Sequence, residues 1–153
     1  MTIYFYSTRG PHGCFSNFAP HGVAIDGAYW PTVEHYFQAQ KFAGTPLEEQ
    51  IRHARTPREA KRLGRQRTAP QRQDWEEIKD DLMRRAVLVK FETHAQLRAE
   101  LLATGDEELA EASPNDYYWG IDTAGTGKNM LGTILMEVRA TLRRREVDGV
   151  VGR

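Results

Sequence analysis

Cysteine is almost absent: Cys14 stands alone among 153 residues, so neither an intrachain disulfide nor a multi-cysteine metal centre can be built. Between Gly13 and Phe15 it is expected to be a small, half-buried filler. An excess of charge of either sign is lacking too. The 21 Lys and Arg residues balance the 21 Asp and Glu residues. That argues against a general nucleic-acid coat, which must neutralise many phosphates, but leaves room for a local basic pocket. No stretch approaches the ~18 apolar residues of a membrane span. Met1 to Ser7 has neither the basic start nor the apolar run of a signal peptide. No HExxH or comparable spacing suggests zinc, and His35 alone is expected to be a packed or surface histidine. With 40% hydrophobic and 27% charged residues, the expectation is one soluble cytoplasmic domain spanning 1–153, with no metal and no membrane contact.

What is present is a change of period along the chain. Ile3-Tyr4-Phe5-Tyr6 predicts a short strand, and a loop rich in Gly, Pro and His follows from Arg9 to Pro20. Val23-Ala24-Ile25 and Ala28-Tyr29-Trp30 flank Asp26-Gly27, a two-residue hairpin signal. Thr32 can cap a helix to about Ala43, and Thr56-Pro57-Arg58-Glu59 forms a capping box for a helix ending at Gly64. Trp75, Ile78, Leu82, Ala86 and Val89 predict a long helix from about Gln73 to Phe91. Thr93-His94-Ala95-Gln96 offers another box for a helix stopping near Gly105, and Asp106 to Ala112 is ambiguous between helix and strand. Met130, Leu131, Ile134, Leu135, Val138 and Leu142 mark the last helix. The expected fold is mainly α with a minor sheet.

Three segments stand apart. In Trp30 through Phe42, Glu34, Gln38 and Lys41 share one helix face opposite Val33, Tyr36 and Phe37; periodicity alone favours a solvated face there. Asn115-Asp116-Tyr117-Tyr118-Trp119-Gly120 puts an acid beside three aromatics in a loop, as a site or as a closing core cluster. Gly125-Thr126-Gly127-Lys128-Asn129 opens into the last helix, where backbone N–H groups and Lys128 could bind an anion. A Walker motif is excluded, because Asp122 and Asn129 occupy positions that need Gly and Ser or Thr. Carboxylates on separate segments suit cleavage of a ribose C1′–N bond, whose oxocarbenium-like transition state a carboxylate stabilises. Residue types alone leave other chemistries open.

At these segments the sequence resembles the YbiA-like NADAR family. The matching stretches are Phe15 to Phe18, Trp30 through Phe42, Gly64 with its Arg-rich turn and Trp75, Lys90-Phe91, Asn115 through Gly120, and Gly125 through Arg139. Differences fall in loops such as Ile121 to Ala124. The resemblance implies a mainly α, single-domain, multihelical YbiA-like fold with a small N-terminal β element. It also implies an N-glycosidase that hydrolyses the C–N bond between ribose 5-phosphate and an aminopyrimidine base in early riboflavin-pathway intermediates. No metal or organic cofactor is implied. On the family pattern Glu34 is the main catalytic carboxylate and Asp116 a second polar participant. Trp75 and Trp119 are base-stacking or pocket-wall residues, although Trp75 also fits the core stripe of its helix. Asn17, Lys41, Lys128 and Asn129 are ribose and phosphate contacts. Two alternatives stand beside this reading: a hydrolase removing ADP-ribose from guanine bases in DNA, and a non-catalytic ADP-ribose-binding module. The run Arg58, Lys61, Arg62, Arg65 and Arg67 could hold a polyanion or DNA, but a solvated helix face is the expectation.

Overall fold

The computed structural model describes residues 1–149; residues 150–153 of the expected domain lie outside the described residues. The chain forms two compact units, one of Asn17–Thr93 and one of Met1–Ser16 with the chain from His94 onward.

In the Asn17–Thr93 unit, β2 (Val23–Ile25) and β3 (Ala28–Trp30) pair antiparallel with Val23 opposite Trp30. Asp26 and Gly27 both take positive φ, 53° and 81°, as the turn that matches strand twist requires. Next comes α1 (Val33–Gln40), where the Thr32 hydroxyl accepts from the His35 N–H at 3.1 Å. α1 stops three residues short of the expected end, and it packs against α2 (Pro46–Arg52), α3 (Pro57–Gly64) and α4 (Trp75–Thr93). Val33 through Ala39 are all buried, so α1 has no solvated face. The expectation of one for Glu34 and Gln38 is overturned, because α2, α3 and α4 pack around α1 and bury both side chains.

α2 is a helix beyond those expected from sequence. Its signal is the same as that of α3: Thr45-Pro46-Leu47-Glu48 repeats the pattern of Thr56-Pro57-Arg58-Glu59. The Thr56 hydroxyl does accept from the Glu59 N–H at 3.1 Å, whereas Thr45 makes no such cap and donates to the Phe42 carbonyl. α4 buries Trp75 and Ala86 as expected, but Met83, Val87, Lys90 and Phe91 are buried in place of Ile78, Leu82 and Val89, which stay part-exposed.

In the other unit β1 (Thr2–Phe5) pairs in parallel with β4 (Glu108–Glu111), which resolves the ambiguous segment as a strand. The β content is therefore not wholly N-terminal. α5 (Ala95–Ala103) is capped by His94 without a side-chain hydrogen bond, so the expected box does not form; Thr93 is already the last residue of α4. α6 (Met130–Val147) lies on β4 and α5. Its buried Arg139 donates to the Thr104 hydroxyl at 2.8 Å and the Glu107 carbonyl at 2.9 Å, tying the helix to the turn before β4. Among the described residues no helix is long and apolar enough to cross a membrane, and no cluster of His, Cys, Asp or Glu could hold a metal ion.

Candidate active site

Glu34 occupies the first turn of α1, and its N–H donates to the Asn17 carbonyl at 3.1 Å, which fixes where the helix begins. The side chain is only 7% exposed. One carboxylate oxygen accepts from Gln38 Nε2 at 2.7 Å, one turn along the same helix. Burial pushes the Glu34 carboxyl above the usual carboxylate range. The Gln38 hydrogen bond and the positive charges of Lys61, Lys41 and Arg65 pull it down without prevailing.

The placement of Gln38 depends on Gly64. A Cβ added at Gly64 would lie 2.8 Å from both Cβ and Cδ of Gln38 and would also meet its Oε1. That Oε1 is buried and makes no hydrogen bond. The Gln38 amide is thus held between the last residue of α3 and the carboxylate it supports. Neither residue is among the site residues expected from sequence, although the i, i+4 spacing of Glu34 and Gln38 is the available signal.

Lys41, half-buried at the end of α1, donates to the Gly64 carbonyl at 3.5 Å, and its ammonium lies 5.9 Å from the centroid of Trp75. Burial lowers its pKa while Glu34 opposes the shift. Trp75 is 5% exposed and tilts against Phe37 at 4.9 Å between ring centroids, so it stands here as a buried wall rather than an open stacking face. Asn17 is buried, its Oδ1 lacks a partner, and its Nδ2 makes only a 3.5 Å contact to the Met83 sulfur. His35 is a packed histidine. Its Nδ1 is 2.8 Å from the Thr32 hydroxyl and its Nε2 3.0 Å from the Ala54 carbonyl, and burial lowers its pKa. Glu34, Gln38, Lys41, Asn17 and Trp75 all belong to the Asn17–Thr93 unit.

Asp116, Trp119, Lys128 and Asn129 belong to the other unit. Asp116 is half-buried, and its Oδ1 accepts from the Tyr118 and Trp119 N–H groups at 3.1 and 2.8 Å, which folds the aromatic loop back on itself. Trp119 is half-buried and meets Tyr118 edge-on at 4.9 Å. Lys128 is exposed, with its ammonium 5.5 Å from the Tyr118 ring centroid. Asn129 takes the left-handed conformation (φ 53°), and its side chain is engaged by β4: Oδ1 accepts from Glu111 N–H at 3.0 Å and Nδ2 donates to the Leu109 carbonyl at 2.9 Å.

The expectation of a backbone anion cradle at this helix start is corrected. The N–H groups of Lys128, Asn129, Met130 and Leu131 donate at 2.6–3.0 Å to the carbonyls of Tyr117, Gly120, Tyr118 and Trp119. Those donors are taken by the neighbouring loop, and the glycines allow it: a Cβ at Gly127 would collide with the carbonyl oxygens of Gly120 and Tyr117.

The NADAR domain family model matches residues 4–143. This chain belongs to the NADAR family. It is 53% identical to an N-glycosidase of Nostoc punctiforme, with 94% of each chain covered. To the N-glycosidase YbiA of Escherichia coli it is 51% identical, covering 92% of this chain and 88% of YbiA. A riboflavin biosynthesis protein of Vibrio vulnificus is 44% identical over 92% of this chain, but the match takes up only 38% of that longer protein. The solution structure of E. coli YbiA superimposes with a TM-score of 0.89 at 49% identity, covering 96% of this chain and 88% of YbiA. This NADAR chain therefore has the YbiA fold, mainly helical with little strand, as the resemblance implied.

Proposed function

We propose that this NADAR chain is an N-glycosidase hydrolysing the bond between ribose 5-phosphate and an aminopyrimidine base. The observation that carries the proposal is the burial of Glu34, a carboxyl held by Gln38 among three cations with a raised pKa. Two relatives named N-glycosidase, each more than half identical, support the reaction class. The relative named for riboflavin biosynthesis supports the choice of base.

Breaking the C1′–N bond leaves positive charge on C1′ and O4′. A carboxylate removed from water interacts with that charge far more strongly than a solvated one does. Ionised Glu34 is poorly stabilised in the resting protein, so the developing oxocarbenium ion relieves it in the transition state, which is the differential binding that catalysis requires. Water then adds its oxygen to C1′, and one of its protons ends on the departing nitrogen. Asp116 is the second polar group of the proposal, orienting substrate or assisting that proton transfer. The unpartnered Asn17 Oδ1 is suited to accept from a sugar hydroxyl; Trp119, half-buried, is the aromatic proposed to stack on a base, and Trp75 backs the wall beside Lys41. Lys41 and Lys128 are the cations of this set, while Asn129 acts by holding its loop on β4.

The test is release of ribose 5-phosphate from an aminopyrimidine ribose phosphate by the purified chain, with Glu34→Gln and Asp116→Asn alongside. Glu34→Gln should reduce kcat by about 10²-fold or more. Absence of release by the parent chain, or full activity in both variants, overturns the proposal.

A further inference from the structure

The backbone cradle at the start of α6 is filled, so a phosphorylated substrate needs its anion held elsewhere. The cations around Glu34 meet that need. Lys61 and Arg65 lie one turn apart at the end of α3, and both act electrostatically on the Glu34 carboxylate and on Lys41. Lys41 bonds to the carbonyl of Gly64, next in the chain to Arg65. The Lys61 ammonium lies 5.7 Å from the Phe18 ring centroid, and Phe18 follows Asn17, on whose carbonyl Glu34 begins its helix.

Neighbouring cations are neutralised differently. Arg62 pairs with Glu59, Arg72 with Asp74 at 2.6 Å, Lys79 with Glu76 at 2.7 Å, and Arg85 with Asp26 at 2.7 Å. Among the described residues Lys61 and Arg65 have no carboxylate within ion-pair distance. Three cations therefore act on one buried carboxylate and outnumber it even when Glu34 is ionised. A phosphate monoester, carrying about −1.5 to −2 at neutral pH, complements that excess. The basic run thus divides. Arg62 has its own carboxylate in Glu59, whereas Lys61 and Arg65 are the members of the run whose charges act on Glu34.

We propose that Lys41, Lys61 and Arg65 form a phosphate subsite beside Glu34. The subsite rests on the N-glycosidase reading only for what carries the phosphate, a ribose 5-phosphate end or the pyrophosphate of ADP-ribose.

Isothermal titration of the full chain with inorganic phosphate, ribose 5-phosphate, ADP-ribose and ribose tests it. Lys61→Ala and Arg65→Ala should each weaken ribose 5-phosphate binding by about tenfold, and the pair by more, as expected for loss of a charged contact. Ribose binding should not change, and Lys61→Arg should retain most of the affinity. In turnover the loss should fall on KM with kcat preserved. Tighter binding of ADP-ribose than of ribose 5-phosphate would assign the subsite to a pyrophosphate. Phosphate binding that depends on Lys61 and Arg65 upholds the subsite even if the aminopyrimidine substrate is not cleaved, which would count against the N-glycosidase reading alone. A double variant that folds with the parent's thermal midpoint and binds phosphate as well as the parent overturns the subsite. Equal weakening of ribose binding does the same.

Discussion

Replacing Gly64 with alanine should damage this protein, although helix propensity alone says the opposite. Gly64 is the last residue of α3 and its φ is not in the left-handed region, so alanine there would ordinarily stabilise by about 0.8–1 kcal/mol. The added Cβ, however, would meet the Gln38 side chain at 2.8 Å at two carbons, one of them Cβ, which cannot swing away as a side-chain tip can. Overpacking of this kind costs about 1–3 kcal/mol. If the Gln38 amide moves, the 2.7 Å hydrogen bond to Glu34 is lost as well, at about 1.5–3 kcal/mol for a bond to a charged group. The net is a loss of about 2–4 kcal/mol, or roughly 5–15 °C in Tm for a domain of this size. Because the disturbed group supports Glu34, kcat should fall about tenfold or more with KM little changed. Thermal and urea unfolding, with ribose 5-phosphate release as the activity assay, measure both effects. A Gly64→Ala/Gln38→Ala double variant should recover part of the stability and none of the rate. A Gly64→Ala protein as stable as the parent would refute the steric argument, and one with unchanged kcat would refute the link from Gly64 to Glu34.

Glu34→Gln should be at least as stable as the parent at pH 7. The folded-state pKa of Glu34 lies above its ordinary 4.5, so ionising it in the fold costs stability as pH rises through 4.5 and beyond. Urea unfolding should show the advantage of Gln at pH 7 shrinking towards pH 4; a variant less stable than the parent at pH 7 contradicts this. His35 works the other way. Its folded pKa lies below 6.5, so stability is lost as pH falls from 6.5 through the folded value, and nitrogen NMR should find the ring staying neutral to lower pH than in the unfolded chain, with the proton on Nε2. A ring that protonates at a higher pH in the folded protein than in the unfolded chain would rule this out. Asn129→Ala should lower stability by about 2–4 kcal/mol, since it leaves the Glu111 N–H and the Leu109 carbonyl without their side-chain partners. Asn129→Gly relieves the left-handed backbone, so it should fare better than Ala but below the parent. Equal stability of all three would mean that the side chain is not the tie between loop and strand.

Local signals carried well where one residue type has one physical solution. Asp26-Gly27 gave the hairpin because positive φ at both positions is what that turn needs. Thr56-Pro57-Arg58-Glu59 gave a helix start because its hydroxyl has an orphan N–H to accept from. The signals failed where tertiary packing decides. A polar face at i, i+4, i+7 has the same spacing whether water or three helices cover it, so periodicity could not tell that Glu34 and Gln38 are buried. The glycine-rich loop failed for a related reason. Its composition says that N–H groups are available at a helix start, but carbonyls distant in sequence by about ten residues take them first. Gly64 was visible only as a motif position, because its function lies in the side chain it makes room for.

The neighbours Glu34 and His35 show which buried polar groups in α1 serve the fold and which do not. His35 has a partner at each ring nitrogen and joins the cap of α1 to the carbonyl of Ala54; buried and neutral, it is a satisfied group that a stable core tolerates. Glu34 has one hydrogen bond from an amide whose own oxygen is unpartnered, and burial disfavours its charge. Stability alone would replace such a carboxyl with a neutral or apolar side chain. The surrounding structure works to hold it nonetheless: Asn17 fixes the start of its helix, Gln38 fixes its carboxylate, and Gly64 gives up a side chain to fit Gln38. A group that several others are arranged to hold, and that weakens the fold they belong to, is explained by the charge it presents to a ligand.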